Sequence, residues 1–246
     1  MKKLFLVFLC FALIFCMSAC AHTNPSDTDS VNNNDPITSQ ETGSPALRKE
    51  YEIIISNLIN AYPWDDDDLT IVSQNPELSY MYRQNAELRE IGFALLDLDK
   101  NGREELIISD PSKPFVYDLY TISDGKAVHL FSGGEKYSFY LYENGYIENQ
   151  WSDSAASSGH DFYRLTDGTL DLLERITLDA KHALNTGIIK EISQANEDNC
   201  FFVSSTDKFE DYKSVSFAEA MERIDTHQNA NKQIPIEFTL LSEYDQ

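Results

Sequence analysis

Four turn dipeptides punctuate the middle of the chain: Asn101-Gly102, Asp124-Gly125, Asn144-Gly145 and Asp167-Gly168. Their glycines are 23, 20 and 23 residues apart. A two-residue hairpin turn of the primed type needs positive φ at both central positions. Asn and Asp tolerate that region and Gly enters it freely, so Asn-Gly and Asp-Gly between apolar runs signal a β-hairpin. The flanks comply. Residues 116–122 pair with 128–131, 137–142 with 146–150, and 161–165 with 170–176. These runs are rich in the aromatic and β-branched residues that suit a pleated, half-buried surface. The pattern predicts an antiparallel β-meander. It is too short for a closed propeller, and the repeats are only loosely alike.

Helical periodicity brackets the meander. Ser44-Pro45 is a helix start, and Leu47, Tyr51, Ile54, Ile55, Leu58, Ile59 and Tyr62 then recur at helical spacing. Asn75-Pro76 repeats the start signal ahead of Leu78, Met81, Tyr82 and Leu88, with Gly92 as the stop. Residues 187–193, 200–205 and 234–241 read as further strands, and Cys200 as a small core residue in its strand. Ser216 and Glu219 form a capping box, and Phe217, Ala220, Met221 and Ile224 continue that helix. The expected fold class is therefore α+β, an antiparallel β-meander of Asn-Gly and Asp-Gly hairpins flanked by N-terminal helices and a C-terminal helix, in one domain over residues 47–246.

The first 19 residues belong to something else. Lys2 and Lys3 precede a 13-residue apolar run over 4–16, and Met17-Ser18-Ala19-Cys20 follows. The run falls short of the ~20 residues a permanent membrane helix needs but fits the apolar core of an export signal. The tetrapeptide resembles the bacterial lipobox, with Met17 where Leu is usual. Membership of that lipoprotein class implies a diacylglyceryl group on the Cys20 sulfur, cleavage just before it, and a lipid-anchored protein at the cell membrane facing outside the cytoplasm. An ordinary signal cut after Ala19 is the alternative. Two acyl chains give stable anchoring where one would be marginal. Residues 20–46 carry Ser, Thr, Asn, Asp and Pro with almost no large apolar side chain, the composition of a disordered tether.

Net charge is -22, and removing the signal with its two lysines makes it -24. Such a chain repels phosphate backbones, so nucleic acid is not an expected partner. Cys10 and Cys16 leave with the signal and Cys20 takes the lipid, so Cys200 stands alone and no internal disulfide is expected.

One constellation carries chemistry. Asp97, Asp99, Asn101, Gly102 and Glu105 occupy positions 1, 3, 5, 6 and 9 of a loop, and the Arg103 carbonyl falls at position 7. Calcium takes six to eight oxygens, which alternate residues of a tight Gly turn can supply. Ile108 stands at position 12, where an EF-hand needs its bidentate Glu. The loop instead resembles the nine-position loops of integrin-type FG-GAP repeats. Together with the Tyr-rich segment that follows, it is similar to uncharacterised lipoproteins of Gram-positive, clostridial-type bacteria that carry the pattern Asp-x-Asp-x-Asn-Gly-x-x-Glu-Leu. That resemblance implies no reaction, and if the loop binds Ca2+ as extracellular modules do, at ~0.1–1 mM affinity, the ion is a structural staple and not a catalyst. The other reading is a plain hairpin turn on Asn101-Gly102, which would set Asp99 against Glu104 and leave like charges facing across the sheet. The run Asp65–Asp68 has the same two readings, solvated loop or cation site.

No metalloprotease helix, nucleophile elbow, phosphate loop or dinucleotide fingerprint occurs in the chain. His22, His129, His160, His182 and His227 are scattered, and Ser157-Ser158-Gly159-His160-Asp161 reads as a loop. The Ser- and Ala-rich stretch 151–159 is a candidate binding loop on a rigid sheet. The leading expectation is a non-enzymatic, surface-displayed binding or accessory lipoprotein whose ligand lies on the cell surface or wall. The alternative is a surface hydrolase using Asp97, Asp99 and Glu105 in a metal-assisted role.

Overall fold

The computed structural model describes residues 48–62, 87–134 and 136–244. The expected export signal and tether, Cys20, the Ser44-Pro45 helix start, Asp65–Asp68 and most of the second expected helix lie outside the described residues. Among the described residues, no helix is long and apolar enough to cross a membrane.

Eleven described strands form two antiparallel sheets, and the class is α+β dominated by a meander. The first sheet contains β1 (Gly92–Leu96), β2 (Glu105–Ser109), β3 (Asp118–Ser123), β4 (Lys126–Ser132) and β11 (Thr239–Leu240), in the order β11-β1-β2-β3-β4. The second contains β5 (Tyr137–Tyr142), β6 (Tyr146–Ser154), β7 (Ser157–Thr166), β8 (Thr169–Asp179), β9 (Phe201–Ser204) and β10 (Lys213–Val215), in the order β10-β9-β8-β7-β6-β5. Period-two alternation builds the core between them. Ala94, Ile107, Leu119 and Phe131 point from one sheet, and Phe139, Leu141, Ile147 and Leu165 from the other. Each large aliphatic or aromatic side chain among them stabilises by about 1.5–3 kcal/mol. Phe131 and Phe139 stack with centroids 3.8 Å apart.

Helices close the outer faces. α1 (Lys49–Asn60) buries Tyr51, Ile55 and Leu58, and the Tyr51 hydroxyl donates to the Glu104 carbonyl at 2.9 Å. α3 (Phe217–Ala230) buries Ala220 and Ile224 on a patch of the second sheet that includes Phe162, Ile176, Phe201 and Val203. The expected cap forms: Ser216 Oγ accepts from the Glu219 N–H at 3.2 Å.

Several expectations are corrected. Residues 187–193 are not a strand. Asp179 caps a short helix, α2 (Ala180–Asn185), and Ile189 buries itself against Ala180, Ala183, Cys200 and Phe202. The last strand shrinks to two residues. Ile234, Ile236 and Phe238 do pack alternately on the core, but Pro235 has no N–H for a ladder and pairing with β1 begins only at Thr239. Gly92 opens a strand instead of ending a helix; a Cβ there would sit 2.8 Å from Phe238 Cβ, so its role is close approach. The stretch 151–159 is not a loop, because β6 and β7 run through it and only residues 155–156 turn. Cys200 is buried and free, immediately before β9.

Candidate metal centre

The four turns do not share one geometry. Asp124-Gly125 and Asp167-Gly168 have positive φ at both positions and are two-residue turns of the primed type, whereas Asn144 and Gly145, also at positive φ, lie in a three-residue loop because Tyr142 pairs with Tyr146. Around Asn101 the positive values fall on Lys100 (62°) and Gly102 (84°), leaving Asn101 outside that region. Leu96 pairs with Glu105, so residues 97–104 form an eight-residue loop and not a two-residue turn. The tight-hairpin alternative is thereby set aside.

Inside this loop acidic side chains turn inward. Asp97 Oδ1 accepts from the Asn101 N–H at 3.0 Å and Asp97 Oδ2 from the Gly102 N–H at 2.9 Å. Asp99 Oδ1 accepts from the same Asn101 N–H at 3.2 Å, and Asp99 Oδ2 from Asn101 Nδ2 at 3.0 Å. Asn101 Oδ1 accepts from the Arg103 N–H at 2.8 Å. Glu105 opens β2 with no exposed surface; its Oε2 accepts from the Leu98 N–H at 3.0 Å and its Oε1 from the Thr121 hydroxyl at 3.1 Å. One carboxylate oxygen from each of Asp97, Asp99 and Glu105 lies within 4.8 Å of the others. Burial, with the neighbouring Asp99 and Asp97 charges adding to it, pushes the Glu105 carboxyl up to about 7.

Three convergent hard oxygens, one of them on a desolvated side chain, are the donor chemistry that calcium or magnesium prefers. The residues therefore fit such an ion. Of the five expected ligand positions, Asp97, Asp99 and Glu105 are brought together. The Asn101 side chain is engaged with Asp99 and Arg103, and the Arg103 guanidinium reaches out to Asp167 Oδ1 at 3.5 Å.

Two of the other turns brace this loop. Asp99 Oδ2 also accepts from the Asp167 N–H at 2.6 Å, and Lys100 Nζ donates to Asn144 Oδ1 at 2.6 Å. Gly145 lies so close that a Cβ would stand 3.3 Å from Asp99 Cβ. The turn residues were visible in the sequence, but their gathering at one end of the sandwich comes from the meander. The chain matches no family model, no curated protein and no solved structure. Its chemistry has to be read from its own residues.

Two buried polar clusters escaped sequence reasoning because their members come from different strands. Glu148, without exposed surface, accepts from Tyr142 OH at 2.6 Å and Gln228 Nε2 at 2.9 Å and pairs with His160 Nδ1 at 2.7 Å. Burial raises its carboxyl, but the His160 and Tyr142 contacts outweigh that and hold it below the ordinary range. Asp118, His129 and Ser132 also meet, with His129 Nε2 2.8 Å from Asp118 Oδ1. A nucleophile relay needs the two imidazole nitrogens to face different partners. Here the same Nε2 faces Ser132 Oγ at 3.1 Å as well, and Ser132 bonds Asp118 directly. This trio ties β3 to β4.

Proposed function

We propose that the protein is a non-enzymatic binding or accessory lipoprotein. It is anchored through a diacylated Cys20, faces outside the cytoplasm, and has a β-sandwich stapled at one end by a calcium ion. The observation that carries the staple is the trio of carboxylates on one eight-residue loop, with Glu105 wholly buried. Facing carboxylates repel when ionised, and a divalent cation removes that repulsion while keeping the N–H bonds that shape the loop. Asp97, Asp99 and Glu105 would hold the ion, with the Arg103 carbonyl as a further donor. The export signal and lipobox-like tetrapeptide support the location, and the charge of -22 supports a partner that is not polyanionic.

A metal-assisted hydrolase is the weaker reading, since Glu105 has no exposed surface from which to reach a substrate. The hollow of about 480 Å3 lined by Asp179, His182 and Phe209 sits at the far end of β8 from the turn that touches the loop.

Thermal melting of the full chain tests the staple. At ~1 mM calcium and ~0.1 mM affinity the ion adds about 1.4 kcal/mol, or a rise of about 3–6 °C. The paired substitution Asp97→Ala and Asp99→Ala removes the rise. Equal melting with calcium and with chelator contradicts the proposal.

A further inference from the structure

Phe209 is the most exposed large apolar side chain among the described residues, at 62%. It sits on the single turn Phe209–Asp211, and that turn is pinned. The Thr206 hydroxyl donates to Asp211 Oδ2 at 2.5 Å, and the Asp211 N–H donates to the Lys208 carbonyl at 3.1 Å. The ring is held as well. It stacks on His182 with centroids 5.9 Å apart and planes 19° apart, and its centroid lies 5.3 Å from that of Tyr212. His182 in turn meets the buried Phe202 edge-on at 4.6 Å, and the Tyr212 hydroxyl accepts from Arg175 Nη1 at 3.4 Å. One end of this aromatic row is rooted in the core, while the other, Phe209, stands in solvent.

Phe209 lines the hollow of about 480 Å3, a size within the range of small-ligand sites. The end of β8 and the start of α2 supply Asp179, Lys181 and His182 to the same hollow, and the Phe209 turn adds Glu210. Asp179 spends Oδ1 on the α2 cap, accepting from the His182 N–H at 2.8 Å, and its Oδ2 has no partner among the described residues. Glu210 is exposed and has no hydrogen-bond or ion-pair partner among the described residues. Among the described residues that line the hollow, Lys181 is the one with a fixed positive charge. Two carboxylates thus share the hollow with an immobilised ring, and one ammonium offsets them in part.

We propose that this hollow takes the guanidinium of an arginine side chain on a basic peptide. A guanidinium stacks on an aromatic face and forks to a carboxylate at the same time, and it is hydrated weakly enough to exchange water for both. The lining meets both demands, with the Phe209 ring for the stack and Glu210 and Asp179 for the fork. An ammonium is compact and strongly hydrated, and it fits this pairing less well. The net charge of -22 draws basic partners toward the surface and repels anionic ones. The hollow is larger than one side chain, so peptide flanking the arginine has room beside Asn185 and Thr186.

This names a partner class for the binding reading above and rests on it. The experiment needs neither lipid nor calcium, so its failure leaves the anchor and the staple to their own tests. The full chain in detergent is titrated, in chelator, with acetyl-triarginine amide, and binding is read by calorimetry. The lysine and citrulline counterparts are the contrasting probes, since citrulline keeps the shape and loses the charge. Saturable one-to-one binding of the arginine peptide is expected, with the lysine peptide several-fold weaker. Phe209→Ala weakens it about three- to tenfold, and so does Phe209→Leu, which keeps apolar bulk without a ring face. Both variants keep the melting temperature, because Phe209 is exposed. Lys181→Ala removes the competing ammonium and tightens binding several-fold. No saturable binding up to about 10 mM, undiminished binding in either Phe209 variant, equal binding of the lysine or citrulline peptide, or weaker binding in Lys181→Ala overturns the proposal.

Discussion

Glu105→Gln isolates the energetics of the acidic loop. The folded protein holds this carboxyl at about 7 against an ordinary 4.5. A group whose folded value is raised binds more protons in the native state, so stability falls as pH rises from about 4.5 to about 7. At ~1.4 kcal/mol per unit, ionised Glu105 destabilises the metal-free protein by about 3 kcal/mol at pH ~7.5 but only about 1 kcal/mol at pH ~5. Gln keeps the carbonyl that accepts from the Leu98 N–H and turns its amide nitrogen to the Thr121 hydroxyl, which can accept as well as donate. Urea unfolding in chelator at the two pH values is the assay. Glu105→Gln should exceed wild type by roughly 2 kcal/mol more at the higher pH, and it should lose the calcium response. A stability difference that does not change between the two pH values refutes the reasoning.

Other expectations follow from the same geometry. Gly145→Ala, at φ 69° with its Cβ 2.7 Å from the Leu165 carbonyl and pressing on Asp99, should cost about 1–3 kcal/mol in chemical unfolding and weaken the calcium-induced rise in melting. Glu148→Ala leaves His160, Tyr142 and Gln228 facing an empty buried site and should cost about 3–5 kcal/mol by urea midpoint. Because Glu148 and Glu174 are both held below 4.5, the stability they contribute is present above that pH and drains away as pH falls through their folded values, which acid unfolding of wild type and Glu148→Gln will show. Cys20→Ala should abolish labelling by radioactive palmitate in the native host; persistent labelling would remove the anchor from the account.

How much could be read in advance depended on whether a signal was local. The hairpins were legible because Asp124-Gly125 and Asp167-Gly168 encode their own dihedral angles, and Asn144-Gly145 does so within a loop one residue longer. The α3 cap was legible because Ser216 and Glu219 lie within one turn. Asn101-Gly102 carries the same dipeptide yet forms no such turn, since Asp97 and Asp99 compete for its N–H groups and open the loop. The acids of that loop were legible as a set. The burial of Glu105 beneath Thr121 was not, because it depends on the pairing of β2 with β3. For the same reason the segment 151–159 misled: its Ser-rich composition resembles a loop, while Trp151, Gly159 and Asp161 become partners only when β6 meets β7. Residues 187–193 had strand-like alternation, but Ile189 spends it on packing against Cys200 and Phe202.

Isothermal titration of calcium into the full chain at pH ~7.5 is the most direct measurement of whether the loop is a cation site. One site per chain with a dissociation constant of ~0.1–1 mM, absent when Asp97 and Asp99 are both Ala, is the expected result. No heat at any accessible concentration, or binding that survives the loss of both aspartates, would contradict the staple on which the functional reading is built.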